Sequence, residues 1–73
     1  MEEKILVIGK GIRQEIVGET LVDCIGVAYR QYKGQRVQLF SLKPIGYIDG
    51  ADLFVDPAYL DRESLKEIIE ALN

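Results

Sequence analysis

The amino-acid sequence predicts an α+β fold: a small antiparallel β-meander of about four strands, barrel-like in closure, followed by one C-terminal amphipathic helix. Two observations predict this class. Short runs rich in β-branched and aromatic residues alternate with glycine-containing turns, and a helical apolar stripe appears only at the end of the chain. The length of 73 residues suits one small domain, which we assign to residues 1–73.

The first strand is predicted at residues 5–8, an apolar run of the kind that is buried in a sheet. The glycine-rich segment 9–11 then predicts a turn. Residues 12–17 fit one face of a helix as well as a strand. Because Gly18 would cost a helix about 1 kcal/mol relative to alanine, we favour a second strand, and leave the state of residues 12–22 open.

A long strand is predicted at residues 20–32, which are rich in Val, Ile and Tyr. Residues 33–34, a lysine and a glycine, are interpreted as the tip of a β-hairpin, since glycine supplies the positive φ that a tight turn needs. Residues 35–42 would form the returning strand.

Lys43 and Pro44 are expected to end that returning strand, because proline cannot donate a hydrogen bond to a strand ladder. Residues 45–51 are then interpreted as a turn-rich connection, on account of their glycines and aspartate. A further short strand is predicted at residues 52–56.

The C-terminal helix has the clearest signals. Asp61 is a good N-cap, and Leu60 and Leu65 are placed to form a hydrophobic staple around it. The apolar positions that follow recur at helical spacing. They are Leu65, Ile68, Ile69 and Leu72.

The amino-acid composition argues against several classes of function. The chain has no histidine and one cysteine, Cys24, so we expect no internal disulfide, no structural zinc, no cofactor and no thiol–histidine nucleophile. Cys24 lies in an apolar run and is interpreted as a buried thiol acting as a small hydrophobe. Without the usual general base, an enzyme is the least favoured class, and would depend on carboxylates.

Charge and hydropathy bear on location and partners. The net charge is −3, with a basic excess over residues 1–48 and an acidic excess over residues 49–73. Net acidity argues against a nucleic-acid partner. The apolar runs fall far short of the ~20 residues that span a bilayer, and the N-terminus does not resemble a signal peptide. We therefore expect no membrane association and a cytoplasmic location, which suits a single thiol.

One basic stretch is the candidate ligand site. Residues 28–36 combine cations, tyrosines and a glycine without any acid. At a hairpin tip these cations would cluster and could bind a phosphate-bearing or nucleotide-like anion, unless they only solvate the turn. The cations and glycine amides of the turn at residues 9–13 could join them as an anion nest. The candidate residues are Arg30, Lys33, Arg36, Tyr29, Tyr32, Lys10 and Arg13.

Two other motifs in the sequence only partly match known site patterns. The glycines at residues 9–11 lack the third glycine and the length of a dinucleotide-binding fingerprint. Asp49, Asp52 and Asp56 surround a glycine turn and offer oxygen ligands for calcium or magnesium, but their spacing does not match an EF-hand. Aspartates also occur in turns for local reasons, so we predict no metal site.

The expected function is that of a non-catalytic binding protein. The predicted strands at residues 24–29 and 5–8 would be apolar on both faces, as would residues 37–42 near Phe40, and one helix could cover only one face of such a sheet. The other face must either close on itself as a small barrel or meet a second copy. We therefore expect a homo-oligomer, most simply a two-fold dimer. The function that fits is an inhibitor- or adaptor-type protein that occupies a partner macromolecule, with a protein as the partner. The alternative is a binder of a small anionic ligand at a basic site between subunits.

Overall fold

The computed structural model describes residues 2–71, which form an antiparallel sheet and two helices. The α+β class is therefore confirmed. The sheet has five strands in the order β2-β1-β3-β4-β5. In chain order the elements are β1 (Glu3–Gly9), β2 (Ile12–Gly18), α1 (Leu21–Tyr32), β3 (Arg36–Ser41), β4 (Lys43–Asp49), β5 (Asp52–Val55) and α2 (Arg62–Ala71).

The expectation of four strands in a barrel-like meander is corrected to an open sheet of five. β1 pairs with both β2 and β3, and β2 and β5 form the two edges, so the sheet does not close on itself. The predicted strands at residues 5–8, 12–17, 35–42 and 52–56 correspond to β1, β2, β3 and β5.

The added strand is β4, which occupies most of the predicted connection 45–51. Pro44 does not end the sheet, because a turn before it closes the hairpin. Leu42 adopts a left-handed φ of 68° between β3 and β4, and the register of this pair shifts between Leu39 and Phe40. Proline is tolerated near the beginning of a strand and at such irregularities.

The predicted long strand at residues 20–32 is wrong, because this segment is helix α1. The Thr20 hydroxyl oxygen caps the helix by accepting a hydrogen bond from the Asp23 amide at 3.1 Å. The buried side chains then recur three and four apart, the spacing of a helix face and not of a strand. They are Cys24, Ile25, Ala28, Tyr29 and Tyr32.

Residues 33–34 consequently join α1 to β3 and are not a hairpin tip. Gly34 does have the positive φ expected of it, at 96°. Its amide donates to the Gly50 carbonyl at 2.8 Å, and the Gly50 amide donates to the Gln35 carbonyl at 3.1 Å. These two bonds tie the end of α1 to the β4–β5 turn.

A single core lies between the sheet and the helices. α1 packs on β1 and β2, while α2 packs beside it near β5. Alternate strand residues such as Val7, Leu39 and Ile48 point into this core and are fully buried. The resulting slab extends 31 × 29 × 17 Å. Both helices therefore cover the same sheet face.

The start of α2 confirms the predicted N-cap. Asp61 Oδ1 accepts a hydrogen bond from the Ser64 amide at 2.8 Å. Leu60 is buried and Leu65 packs against the core, as the staple requires. Ile68 and Ile69 also face the core, while Leu72, the last residue of the predicted stripe, lies outside the described residues.

We expect Asp61→Ala to lower the melting temperature at pH 7 by roughly 2–8 °C, whereas Asp61→Asn should preserve most of the cap. Hydrogen bonds from the Ser64 amide and hydroxyl hold the pKa of Asp61 below its ordinary 3.8. The charged cap therefore contributes stability above pH 3.8, and this contribution disappears as the pH falls through the lower folded-state pKa. The melting temperatures of both variants between pH 2 and pH 7 measure this contribution. If both substitutions lowered the melting temperature equally at pH 7, the predicted cap would be contradicted.

Candidate functional site

The two candidate tyrosines are part of the core. Tyr29 is fully buried, and its hydroxyl donates to the Ala51 carbonyl at 2.6 Å. Tyr32 is also buried, and its hydroxyl donates to Gln14 Oε1. Because both rings lie within the core and both hydroxyls have partners, neither ring offers a face on which a ligand could stack.

The candidate cations are divided between the two layers of the fold. Arg30 is exposed on α1, and Lys33 ends that helix with its ammonium 5.9 Å from the centre of the Tyr29 ring. Arg36 begins β3 and points away from the helices, since its neighbour Val37 points into the core. The structure thus separates Arg36 from Arg30 and Lys33, which stay near each other at the end of α1.

Two of the candidate cations lie near each other. Lys10, in the β1–β2 turn, and Arg36 border one open concavity of about 580 Å³. Arg36 also forms an ion pair with Asp49 at 3.5 Å, although both side chains are largely exposed and such pairs contribute little. Arg13 lies on β2 beside Leu6, apart from this concavity.

The carboxylates near the β4–β5 turn do not form a metal site. Asp49 and Asp52 are opposite each other in the β4–β5 pair. Asp56 instead caps a turn, where its Oδ1 accepts from the Ala58 amide at 2.9 Å. Within residues 2–71, no group of three or more potential ligands could hold a metal ion.

Cys24 is a buried thiol. Its sulfur is fully enclosed and donates to the Glu3 carbonyl at 3.4 Å. Burial raises the pKa of this thiol, and the carboxylates of Asp23 and Glu3 raise it further. A thiol that resists ionisation and is shielded from solvent is a poor nucleophile.

An uncovered apolar sheet face was expected, but partly on residues 24–29, which are helical. It is the sheet face opposite the helices, which we call the outer face, and its aromatic residues Tyr47 and Phe54 were missed. Strand residues alternate between the two faces, so the neighbours of each core residue point here. Tyr47 is 46% exposed and Phe54 48% exposed, which is unusual for side chains of this size. The apolar residues of the outer face are Leu6, Ile8, Val17, Phe40, Tyr47 and Phe54.

The outer face is organised in rows across the strands. One row crosses the whole sheet, from Arg13 through Ile8, Gln38 and Tyr47 to Phe54. Tyr47 and Phe54 stack within this row, with ring centres 5.4 Å apart. The middle of the outer face is therefore a continuous apolar surface interrupted by one amide.

At one end, the outer face is bordered by the β3–β4 turn. Leu42 is fully exposed there and holds a left-handed φ, a conformation that costs a non-glycine residue ~1–2 kcal/mol. Together with Leu6 and Phe40 it borders a shallow concavity of about 260 Å³.

Charges border the outer face on two opposite sides. Lys10 and Arg13 lie on the β1–β2 side, and Asp49 and Asp52 lie on the β4–β5 side. Because Gly9 pairs with Val37 and Val37 with Ile48, the β1–β2 and β4–β5 turns lie at the same end of the sheet. At this end of the sheet the border is thus basic on the β1–β2 side and acidic on the β4–β5 side, although Asp49 is paired with Arg36. Further along β1 and β2, Lys4 and Glu15 form an ion pair on the outer face at 3.3 Å.

No protein-family model, no curated protein and no solved structure matches this chain. Of the helices in residues 2–71, none has the length and apolar character needed to cross a membrane. The candidate site therefore rests on the geometry of the outer face.

Proposed function

We propose that the protein is a non-catalytic binding module that acts by occupying a partner macromolecule, with the outer face as the docking surface. One observation carries this proposal: large apolar side chains lie on a sheet face that neither helix covers. Contiguous exposed apolar patches on small proteins mark interaction sites. We expect the module to act in the cytoplasm.

The shape and composition of the outer face favour a protein as the partner. Two of its apolar concavities, of about 260 and 240 Å³, are smaller than the ~300–1,000 Å³ of typical small-molecule pockets. A third, of about 580 Å³ beside Lys10 and Arg36, falls within that range but is open. An apolar centre with a charged border is the usual anatomy of a protein–protein interface, and Tyr and Phe are enriched in such centres. Tyr47 and Phe54 are therefore the expected anchors.

Binding of a small anion is the second candidate, and a narrower set of residues supports it. Lys10 and Arg36 border the same concavity of about 580 Å³, where a phosphate group could contact both. Arg30 lies on the other layer, and Tyr29 and Tyr32 are buried. The anion site would thus retain two exposed cations of the original set, one of which is already paired with Asp49.

The double substitution Tyr47→Ser, Phe54→Ser should abolish partner binding while the chain still folds. Removing one cross-strand aromatic pair costs roughly 0.5–1.5 kcal/mol, which a folded domain survives. The measurement is affinity isolation from the native cells, with the retained proteins, second copies included, quantified by mass spectrometry. Thermal unfolding confirms that the variant is folded.

The matched control is Val22→Ser, Val27→Ser on α1. These valines are 37% and 41% exposed, so the control replaces two exposed apolar side chains, although smaller ones, on the other layer. We expect it to retain the partners of the wild-type protein. Equal retention by both variants, or equal loss, would rule out the outer face as the docking surface.

A further inference from the structure

We infer that the occupant of the outer face is a second copy of this chain, packed face to face about a two-fold axis parallel to the strands. This inference rests on the proposed function, because it names the partner of the same surface. It differs from that proposal in requiring the chain alone, without another protein, to cover the outer face.

The dimensions of the outer face suit a dimer. The broad side of the slab measures 31 × 29 Å. Its area is therefore on the order of the ~800 Å² that each partner buries in a standard interface. A chain of 73 residues also buries only about 60% of its unfolded surface in its own fold. A second sheet packed ~10 Å away would turn the two-layer slab into a sandwich with a second core.

Charge complementarity selects the orientation. A two-fold axis parallel to the strands and centred on β3 places β2 of one copy over β5 of the other, and β1 over β4. Because the β1–β2 and β4–β5 turns lie at the same end of the sheet, Lys10 of one copy approaches Asp49 and Asp52 of the other. The same contact occurs twice in the dimer, once for each half of the interface. Arg36 lies on the outer face of β3 and so approaches its own counterpart near the axis, and its ion pair with Asp49 offsets this repulsion.

The long row of the outer face is also self-complementary about this axis. Ile8 of one copy lies over Tyr47 of the other, and Arg13 lies over Phe54, where a guanidinium can stack on an aromatic ring. Gln38 lies at the centre of the row and meets its own counterpart on the axis. An amide carries both a donor and an acceptor, so two copies of Gln38 can bond reciprocally.

The other face-to-face arrangement has an axis perpendicular to the strands. It reverses the sheet end for end, so Lys10 of one copy would approach Lys4 of the other, since these residues lie at opposite ends of β1. Lys4 is already paired with Glu15 at 3.3 Å, so this arrangement gives Lys10 no unpaired carboxylate to meet. The parallel axis instead brings Lys10 to Asp52, and facing opposite charges across an interface is the favourable case.

The test uses two charge-reversed chains. The first carries Lys10→Glu and Arg13→Glu, and the second carries Asp49→Lys and Asp52→Lys. Each chain alone would place like charges on both halves of the interface, so we expect its dimer dissociation constant to rise ~10-fold or more. An equimolar mixture should recover the association, because each half then pairs opposite charges. Sedimentation equilibrium over tens to hundreds of micromolar measures all four samples, wild type included.

The control chain carries Glu67→Lys and Glu70→Lys on α2. Its net charge changes as in the second reversed chain, but away from the outer face, so it should dimerise like the wild-type chain. Circular dichroism verifies that every variant is folded. A wild-type chain that stays monomeric overturns the inference, while the proposed function still stands or falls by the affinity isolation. A dimer that both reversed chains retain, or that the mixture fails to restore, overturns the arrangement.

Discussion

Replacing Gly46 by alanine is expected to destabilise the fold by on the order of 3 kcal/mol. A Cβ atom on residue 46 would lie 2.1 Å from the Phe54 carbonyl oxygen and 2.9 Å from the Val55 Cα. Both are backbone atoms of β5, so no side chain can rotate to make room. The β4–β5 pair would have to separate, which would also displace the Tyr47–Phe54 stack of the outer face.

Gly26→Ala is the matched control and should change stability in the opposite direction. Gly26 lies inside α1, and a Cβ there meets nothing within 4 Å. Alanine in a helix interior is better than glycine by roughly 0.5–1 kcal/mol. Urea unfolding followed by circular dichroism compares both variants with the wild-type chain. If Gly46→Ala proved as stable as Gly26→Ala, the β4–β5 pairing would be wrong.

The second large effect concerns Tyr29. Tyr29→Ala should cost ~3–5 kcal/mol, because it empties a large site at the centre of the core. Tyr29→Phe keeps the ring and removes only the hydroxyl that donates to the Ala51 carbonyl. It should cost ~0.5–1.5 kcal/mol, the net contribution of a typical intramolecular hydrogen bond. The same urea titration measures both values.

Tyr47→Phe is the control for Tyr29→Phe, because it removes a tyrosine hydroxyl outside the core. Tyr47 is half-exposed on the outer face, so losing its hydroxyl should change the free energy of unfolding by less than ~0.5 kcal/mol. A Tyr29→Phe variant as stable as Tyr47→Phe would mean that the Tyr29 hydroxyl does not hold the β4–β5 turn.

The sequence signals were sufficient for the elements with strong local patterns. α2 has a capping aspartate and a regular apolar stripe, and both appear where they were expected. β2 was predicted over a helix because Gly18 disfavours helix, and the strand ends at that glycine. Propensity, spacing and caps agreed in these segments.

α1 was mistaken for a strand because composition was given more weight than spacing. Val, Ile and Tyr favour strands, yet only a helix places Cys24, Ala28 and Tyr32 on one buried side. Thr20 followed by Asp23 is also a plausible helix start, and its cap is present. The apolar positions recur at helical spacing, and counting them would have identified the helix.

The candidate site was harder to predict for a related reason. The cations of residues 29–36 would cluster only at a hairpin tip. Because residues 29–32 are helical, Arg36 lies in the other layer from Arg30 and Lys33. The outer face includes Tyr47 on β4, which was predicted as a connection. An uncovered sheet face is also a tertiary property, because it depends on where both helices pack. The pairing of Tyr47 with Phe54 appears only once the strand register is known.

The most direct measurement of the central claim, that protein covers the outer face, is site-specific photo-crosslinking in the native cells. A benzophenone-bearing phenylalanine in place of Tyr47 would report on the outer face, and the same group in place of Val27 on α1 would serve as the control. We predict abundant covalent protein adducts from position 47 and few from position 27, with adducts at twice the 8.2 kDa chain mass if a second copy is the occupant. Equal yields from the two positions, or none from position 47, would contradict the account.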